Sequence, residues 1–86
     1  GFDMKILEAC AYRDYVVGEI VTSIDKKPYT GNLTVYVKHP NGSKNSYTGK
    51  ANEDGLFVIQ DVPMKKGDMV SVKIPQSPNE SDGVAC

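Results

Sequence analysis

The sequence contains few of the residues on which most enzyme and metal sites depend. Its 86 residues include one histidine, two cysteines and no tryptophan. A metal site built from several imidazoles is therefore impossible, and there is no CxxC pair, nucleophile-elbow motif or phosphate-binding glycine loop. We predict no catalytic residue, no metal site and no cofactor, and we do not expect an enzyme.

The sequence also lacks a long apolar run and an excess of charge of either sign. No run approaches the roughly 20 apolar residues that a transmembrane helix requires. No signal peptide is recognisable, and Gly1 fits either the end left by a removed leader or a residue left by a tag. Ten basic and eleven acidic residues give a net charge of −1, whereas nucleic-acid-binding domains are usually basic. We expect neither a membrane nor a nucleic acid as partner.

The single histidine and the paired carboxylates fall in predicted turns. His39 lies next to a turn, a position that favours a solvated residue without a functional role. A nucleophilic pair of Cys10 and His39 would lack a third group to orient it. The carboxylates do not match the spacing of a twelve-residue calcium loop, so we interpret them as turn-forming residues. They are Glu53, Asp54, Asp61 and Asp68.

Two features favour a secreted protein. A disulfide between Cys10 and Cys86 would close a loop of nearly the whole chain, which is worth about 4 kcal/mol in the chain-entropy treatment. A domain this small needs such a staple, and a free thiol at an exposed terminus would be reactive, so we predict the disulfide rather than two free thiols. Three matches to the N-glycosylation pattern agree with an oxidising compartment. They begin at Asn32, Asn41 and Asn79.

Alternating apolar residues predict a chain built from strands. In residues 31–62, Leu33, Val35 and Val37 alternate with polar residues, and the Asn-Gly pair at 41–42 favours a two-residue type I′ turn. We expect the three strands of this region to form one antiparallel sheet. Six strands are predicted in total, at residues 5–12, 15–24, 33–38, 46–51, 56–61 and 70–74.

The remaining segments are less regular. Residues 1–14 fit a strand on one spacing and a short helix on another, and we prefer the strand because a sheet needs partners. Gly18 interrupts the second strand, which is typical of a bulge or a close backbone approach. The connection 25–32 is long enough to cross between sheets, and residues 75–86 form a polar tail that Cys86 would tie down. The predicted fold is one all-β domain, a six-stranded antiparallel β-sandwich of two three-stranded sheets with one disulfide.

The outward face of the third strand carries Thr34, Tyr36 and Lys38. Tyrosine is frequent at binding surfaces because it offers a rigid amphipathic contact, although it is also an ordinary strand residue. An unprotected edge strand could equally accept a strand from a partner, but the sequence does not identify the edge. We therefore predict a monomeric domain that binds a protein, with Thr34, Tyr36 and Lys38 as candidate contact residues.

The overall plan of six short strands, with a cysteine beside the first strand and a second one later, resembles the fungal MAX effector family. The resemblance implies two sheets in which strands 1, 2 and 6 face strands 3, 4 and 5. It also implies a secreted virulence protein that is delivered into plant cells and binds host proteins. Residues 52–55 lack the family's usual second cysteine, so Cys86 would replace it.

Three stretches are similar to carboxypeptidase regulatory-like, transthyretin-like and macroglobulin-like sandwiches. They are GEI at residues 18–20, KPYTGNLTV at 27–35 and NEDGLF at 52–57. This resemblance implies an accessory domain of a larger extracellular protein. We expect the effector role first, because the chain closes on its own terminal cysteine, and the accessory domain is the alternative.

Overall fold

The structure, a computed structural model, describes residues 1–10 and 14–86. In those ranges the chain forms strands and turns and no helix. The strands there are β1 (Phe2–Glu8), β2 (Tyr15–Thr22), β3 (Gly31–Lys38), β4 (Lys44–Ala51), β5 (Leu56–Gln60), β6 (Met69–Lys73) and β7 (Val84–Ala85). They form two antiparallel sheets in the orders β1–β2–β5 and β4–β3–β6–β7. The all-β prediction is confirmed.

Side chains from both sheets form one hydrophobic core. Successive residues of a strand point to opposite faces, so every second residue of β2, β3, β5 and β6 is buried. The buried apolar residues are Val16, Ile20, Tyr29, Leu33, Val35, Val37, Ala51, Phe57, Ile59, Val62, Val70, Val72 and Ile74. Burying one large aliphatic or phenylalanine side chain contributes about 1.5 to 3 kcal/mol, so this cluster is the main source of stability between the sheets.

The partner of β5 differs from the one that the sequence predicts. The three strands of residues 31–62 are expected to form one sheet, but β5 pairs with β2, so that Phe57 lies opposite Gly18. The turn before β5 nevertheless resembles a hairpin, since Asn52 N donates to Leu56 O at 2.8 Å. The prediction was wrong because this local turn does not determine which sheet the following strand joins.

The sheet order also differs from the one that the effector resemblance implies. That resemblance groups the sixth strand with the first and second, whereas β6 lies beside β3 and β5 lies beside β2. A seventh strand, β7, pairs with β6, so the sheets have three and four strands instead of three each. The connection between Thr22 and Gly31 crosses from one sheet to the other, as its length allows.

The first two strands are shifted relative to their predicted bounds. β1 begins at Phe2 instead of residue 5, and β2 ends at Thr22 instead of residue 24. Residues 2–8 adopt the strand and not the helical alternative. The end of the predicted first strand, at positions 11 and 12, lies outside the described residues.

Both a bulge and a close approach, the two features typical of a glycine within a strand, occur at Gly18 in β2. The β1 register shifts between Ile6 and Glu8, which is a bulge opposite this part of β2. The ring of Phe57 also covers Gly18 so closely that a Cβ atom there would lie 2.2 Å from Phe57 Cζ. The absence of a side chain at position 18 therefore makes room for Phe57 in the core.

The hairpin between β3 and β4 contains a longer turn than the predicted type I′ pair. His39 N donates to Ser43 O at 2.8 Å, which leaves three residues in the loop. Gly42 takes a φ of 89°, but Asn41 is not among the residues with positive φ, and a type I′ turn requires positive φ at both central positions. Pro40 fixes its own φ at about −65°. It therefore favours a type I turn in which Pro40 is the second residue and glycine follows the two central residues.

A disulfide joins Cys10 to Cys86, as the sequence predicts. The two Cα atoms lie 5.0 Å apart, and 76 positions separate the residues along the chain. Cys86 is also held by its backbone, since its N–H donates to Asp68 O at 2.7 Å. The C-terminus is therefore fixed both covalently and by the ladder between β6 and β7.

The polar segment 75–86 covers one edge of β6. Near its end β7 pairs with β6, and further back Ser81 N donates to Val72 O at 2.8 Å. Val72 N in turn donates to Ser81 Oγ at 2.9 Å. These bonds occupy backbone groups that an open sheet edge would leave unpaired, so the tail completes the four-stranded sheet.

Candidate functional site

The three candidate contact residues predicted from the sequence lie together on the outer face of the four-stranded sheet. Thr34, Tyr36 and Lys38 all belong to β3, which has β4 on one side and β6 on the other. Lys38 is exposed, whereas Thr34 and Tyr36 are half-buried. Lys44 Nζ lies 4.0 Å from the centre of the Tyr36 ring, a cation–π contact. Glu80 Oε1 holds the same ammonium group at 2.7 Å.

This outer face is basic. The strands of the four-stranded sheet contain four lysines and no carboxylate. All four lysines lie on the outer side, because they share register positions with the outward residues of β3. They are Lys38, Lys44, Lys50 and Lys73. Two of them, Lys38 and Lys44, are directly opposite each other, an arrangement of like charges that destabilises a strand pair. We call this surface the lysine face.

The outer face of the three-stranded sheet is apolar at its centre. Val17 of β2 is directly opposite Val58 of β5, and the side chain of Val58 is 59% exposed. Leu56 lies two residues before Val58 on the same face and is 37% exposed. Leu7, at the bulge in β1, is 56% exposed. We call the surface around Val17, Leu56 and Val58 the valine face.

Carboxylates surround the valine face. Glu8 is paired in register with Val17, and Glu19 with Leu56. Asp14 and Asp61 line the depression next to the Val17–Val58 pair. Glu8 Oε1 accepts a hydrogen bond of 2.6 Å from the Tyr15 hydroxyl. Lys5, opposite Glu19, is the one lysine on the strands of this sheet.

The valine face was not predicted from the sequence, although a signal for it exists. In residues 15–24 and 56–59 apolar residues occur in both alternate sets of strand positions. A strand in an inner layer, covered on both sides, has this composition. Here each strand buries one face in the core and leaves the other uncovered, so Leu56 and Val58 are exposed and Val17 is only half-buried.

The only histidine of the chain is not the solvated turn residue that the sequence predicts. Its side chain is 29% exposed, and its Nδ1 lies 2.9 Å from Oδ1 of Asp68, which is buried. Its Nε2 lies 2.5 Å from Oδ1 of Asn45. The prediction was wrong because Asp68, from the turn before β6, is brought against the β3–β4 hairpin by the fold.

The electrostatic surroundings of His39 and Asp68 favour the charged form of both. The bond to Asn45, followed by the bond to Asp68, raises the pKa of His39 above its ordinary value of 6.5. The Lys65 backbone N–H, which donates to Asp68 Oδ2 at 2.8 Å, and next the bond to His39 lower the pKa of Asp68 below 3.8. This pair joins two loops at one end of the molecule, and we interpret it as structural.

The three candidate glycosylation sites are all accessible. Asn32, Asn41 and Asn79 are exposed. Asn32 lies in β3 on the lysine face, opposite Lys50, and Asn41 lies in the β3–β4 loop, where its Oδ1 accepts from Ser43 Oγ at 2.7 Å. Their exposure allows modification at each position, and occupancy at Asn32 would cover part of the lysine face.

The residues that the structure describes hold no cluster of three or more histidine, cysteine, aspartate or glutamate side chains suited to a metal ion. Among the same residues, no helix is long and apolar enough to cross a membrane. Comparisons of the chain with protein-family models, with curated proteins and with solved structures found no match. The function must therefore be argued from the two faces themselves.

Proposed function

We propose that this chain is a β-sandwich module of an extracellular protein that binds another protein surface through the valine face. The observation that carries the proposal is the direct pair of Val17 and Val58 on the outside of a sheet, with Leu56 next to it. A contiguous exposed apolar surface with a polar rim is typical of protein interaction sites. The binding does not require a cofactor or a catalytic group.

The strand order supports the accessory-domain role ahead of the effector role. In the effector plan the sixth strand joins the first two, whereas here β5 takes that place and Phe57 lies opposite Gly18. Both residues belong to the stretches that are similar to the carboxypeptidase regulatory-like, transthyretin-like and macroglobulin-like sandwiches. A module of that kind would pack its valine face against a neighbouring domain or protein. An effector would use the same face on a host protein.

Secretion is part of the proposal. The disulfide is compatible with an oxidising compartment, where such bonds persist. The exposed asparagines of the three sequence motifs are compatible with the same compartment. Endoglycosidase treatment of the protein secreted from eukaryotic cells, followed by mass spectrometry, would show which of Asn32, Asn41 and Asn79 carries a glycan.

The binding role is tested by photo-cross-linking from defined surface positions. A photoreactive benzoylphenylalanine replaces Val58, and the protein is irradiated in the extracellular fluid into which it is produced. The group then forms a covalent bond to a protein that lies against position 58. The matched control carries the same group at Asp54, which is exposed in the turn between β4 and β5. We expect a discrete protein adduct from position 58 and none of that mass from position 54.

A second experiment changes the valine face alone and measures the loss of binding. Val17→Thr with Val58→Thr keeps β-branched side chains that favour strands and adds two hydroxyl groups to the outer face. We expect this variant to keep its stability and to compete poorly with the wild-type protein for the cross-linked partner. Equal adducts from positions 58 and 54, or undiminished competition by the variant, would contradict the proposal.

A further inference from the structure

The charges of the strands are divided between the two sheets. The strands of the four-stranded sheet carry four lysines and no carboxylate. The strands of the three-stranded sheet carry Asp3, Glu8 and Glu19 against Lys5. Asp14 and Asp61 add two carboxylates beside the valine face. One ion pair reduces the charge on each side, since Lys26 pairs with Asp3 and Glu80 pairs with Lys44. The two outer faces of the molecule are thus of opposite sign.

The two faces are also matched in their apolar content. Behind the acidic rim of one face lie Val17 and Val58. Among the lysines of the other lie the half-buried ring of Tyr36 and the side chain of Met69, which is 41% exposed. An apolar centre within a charged rim is the usual construction of a protein interface, and here the two rims attract each other.

We propose that the occupant of the valine face is the lysine face of a second copy of this chain. The proposal rests on the protein-binding role of the valine face and names its partner. Thr34, Tyr36 and Lys38, the contact residues that the sequence predicts, would form the opposite half of the same contact. The arrangement departs from the monomer that we expected from the sequence.

The dimensions of the molecule are sufficient for such a contact. The longest extents of the chain trace are 36 and 23 Å, and its thickness is 17 Å. This outline of the whole molecule sets the upper limit of a contact on one face, and that limit is close to the roughly 800 Å² that each partner buries in a protein interface of standard size. Because the contact joins two different surfaces, a pair of copies keeps one free valine face at one end and one free lysine face at the other. Association of this type forms a ring if it closes and an open stack if it does not.

The purified protein tests the proposal directly. Sedimentation velocity at low ionic strength is expected to show a weight-average mass that rises with concentration to at least twice that of the monomer. High salt should return the protein to the monomer, since exposed charges are screened within about 3 Å at 1 M salt. A wild-type protein that stays monomeric at every concentration at low salt would overturn the proposal.

Charge reversal on one face at a time identifies the surfaces. Glu8→Lys with Glu19→Lys removes the net negative charge of the valine face, and Lys38→Glu with Lys50→Glu removes the net positive charge of the lysine face. Each variant alone is expected to be monomeric where the wild-type protein associates. An equimolar mixture of the two should reach at least twice the monomer mass, because the unchanged lysine face of the first variant then meets the unchanged valine face of the second. A mixture that remains monomeric, or a single variant that associates like the wild-type protein, would refute the pairing of these faces.

Two controls separate this result from general effects of charge and folding. Glu53→Lys with Asp54→Lys makes the same change in net charge as Glu8→Lys with Glu19→Lys, but in the β4–β5 turn. This variant should associate like the wild-type protein. Recovery in the mixture requires that both variants are folded. Self-association and binding to a different protein give different results in these experiments. If the purified protein is monomeric but position 58 still cross-links to a different protein, the binding role stands and its partner is not a second copy.

Discussion

Replacement of Gly18 by alanine tests the central packing contact between β2 and β5. A Cβ atom at this position would lie 2.2 Å from Phe57 Cζ and 2.6 Å from the carbonyl oxygen of Lys5. Carbon atoms in contact are normally about 3.5 to 4.0 Å apart. The new methyl group can be accommodated only if the Phe57 ring leaves its place and the β1 backbone moves away.

Neither neighbour can move without a loss of stability. Phe57 is 2% exposed and belongs to the core, and the Lys5 residue is held opposite Glu19 in the ladder between β1 and β2. Overpacking of a core typically costs about 1 to 3 kcal/mol. The reduced freedom of the unfolded chain returns about 0.4 to 1 kcal/mol when alanine replaces glycine. We therefore expect Gly18→Ala to lower the free energy of unfolding by about 2 kcal/mol.

Urea unfolding of the oxidised protein measures this loss, and Gly49→Ala is its matched control. Gly49 also lies in a strand, but a Cβ atom there would meet only side-chain carbons, the nearest being two of Ile59 at 3.0 Å. Because this overlap is much smaller than the one at Gly18 and involves no backbone atom, we expect Gly49→Ala to stay within about 1 kcal/mol of the wild-type protein. A Gly18→Ala protein as stable as Gly49→Ala would refute the packing argument. Partial recovery on adding Phe57→Leu would assign the clash to the ring.

Two further predictions concern the disulfide and the histidine. Replacing Cys10 and Cys86 by alanine should cost about 4 kcal/mol of unfolding free energy by the chain-entropy estimate, measured by urea unfolding, and an unchanged midpoint would contradict it. His39 stabilises the fold below its unfolded pKa of 6.5, and this contribution should be lost as the pH rises through its higher native pKa. Asp68 acts in the opposite sense, losing its contribution as the pH falls through its lowered native pKa. Unfolding of wild-type and His39→Gln proteins across the neutral range, with NMR titration of the single imidazole, would test this; equal slopes would contradict it.

The sequence predicted the strands better than it predicted their pairing. Alternation along residues 33–38 and 70–74 identifies β3 and β6 because the signal lies within each strand. The partner of β5 depends on a contact between positions 18 and 57, which are far apart in the chain. The turn at 52–55 has the same residues whether β5 continues in the sheet of β4 or crosses to the other. Local turn chemistry therefore gave the wrong sheet.

The pair of His39 and Asp68 could not be found from the sequence for the same reason. Each residue lies in a loop between strands, and nothing in either loop indicates that the two loops meet. The disulfide was predictable because only one pairing of two cysteines is possible. The contacts of Lys44 are predictable only in part. The predicted hairpin brings Lys44 beside Tyr36, whereas nothing in the sequence indicates that the C-terminal segment brings Glu80 to the same place.

The valine face follows from a mismatch between the composition of β2 and β5 and the number of layers. β3 and β6 alternate apolar with polar residues, as strands covered on one side do. In β2 and β5 apolar residues also occur on the outer face, at Val17, Leu56 and Val58, as in strands that have a layer on each side. The described part of the chain forms two sheets and therefore offers β2 and β5 only one covering layer. We infer that another surface supplies that second layer, and the lysine face of a second copy is the one that we propose. Changing Val17 and Val58 to threonine should therefore alter association while leaving the stability of the single domain nearly unchanged.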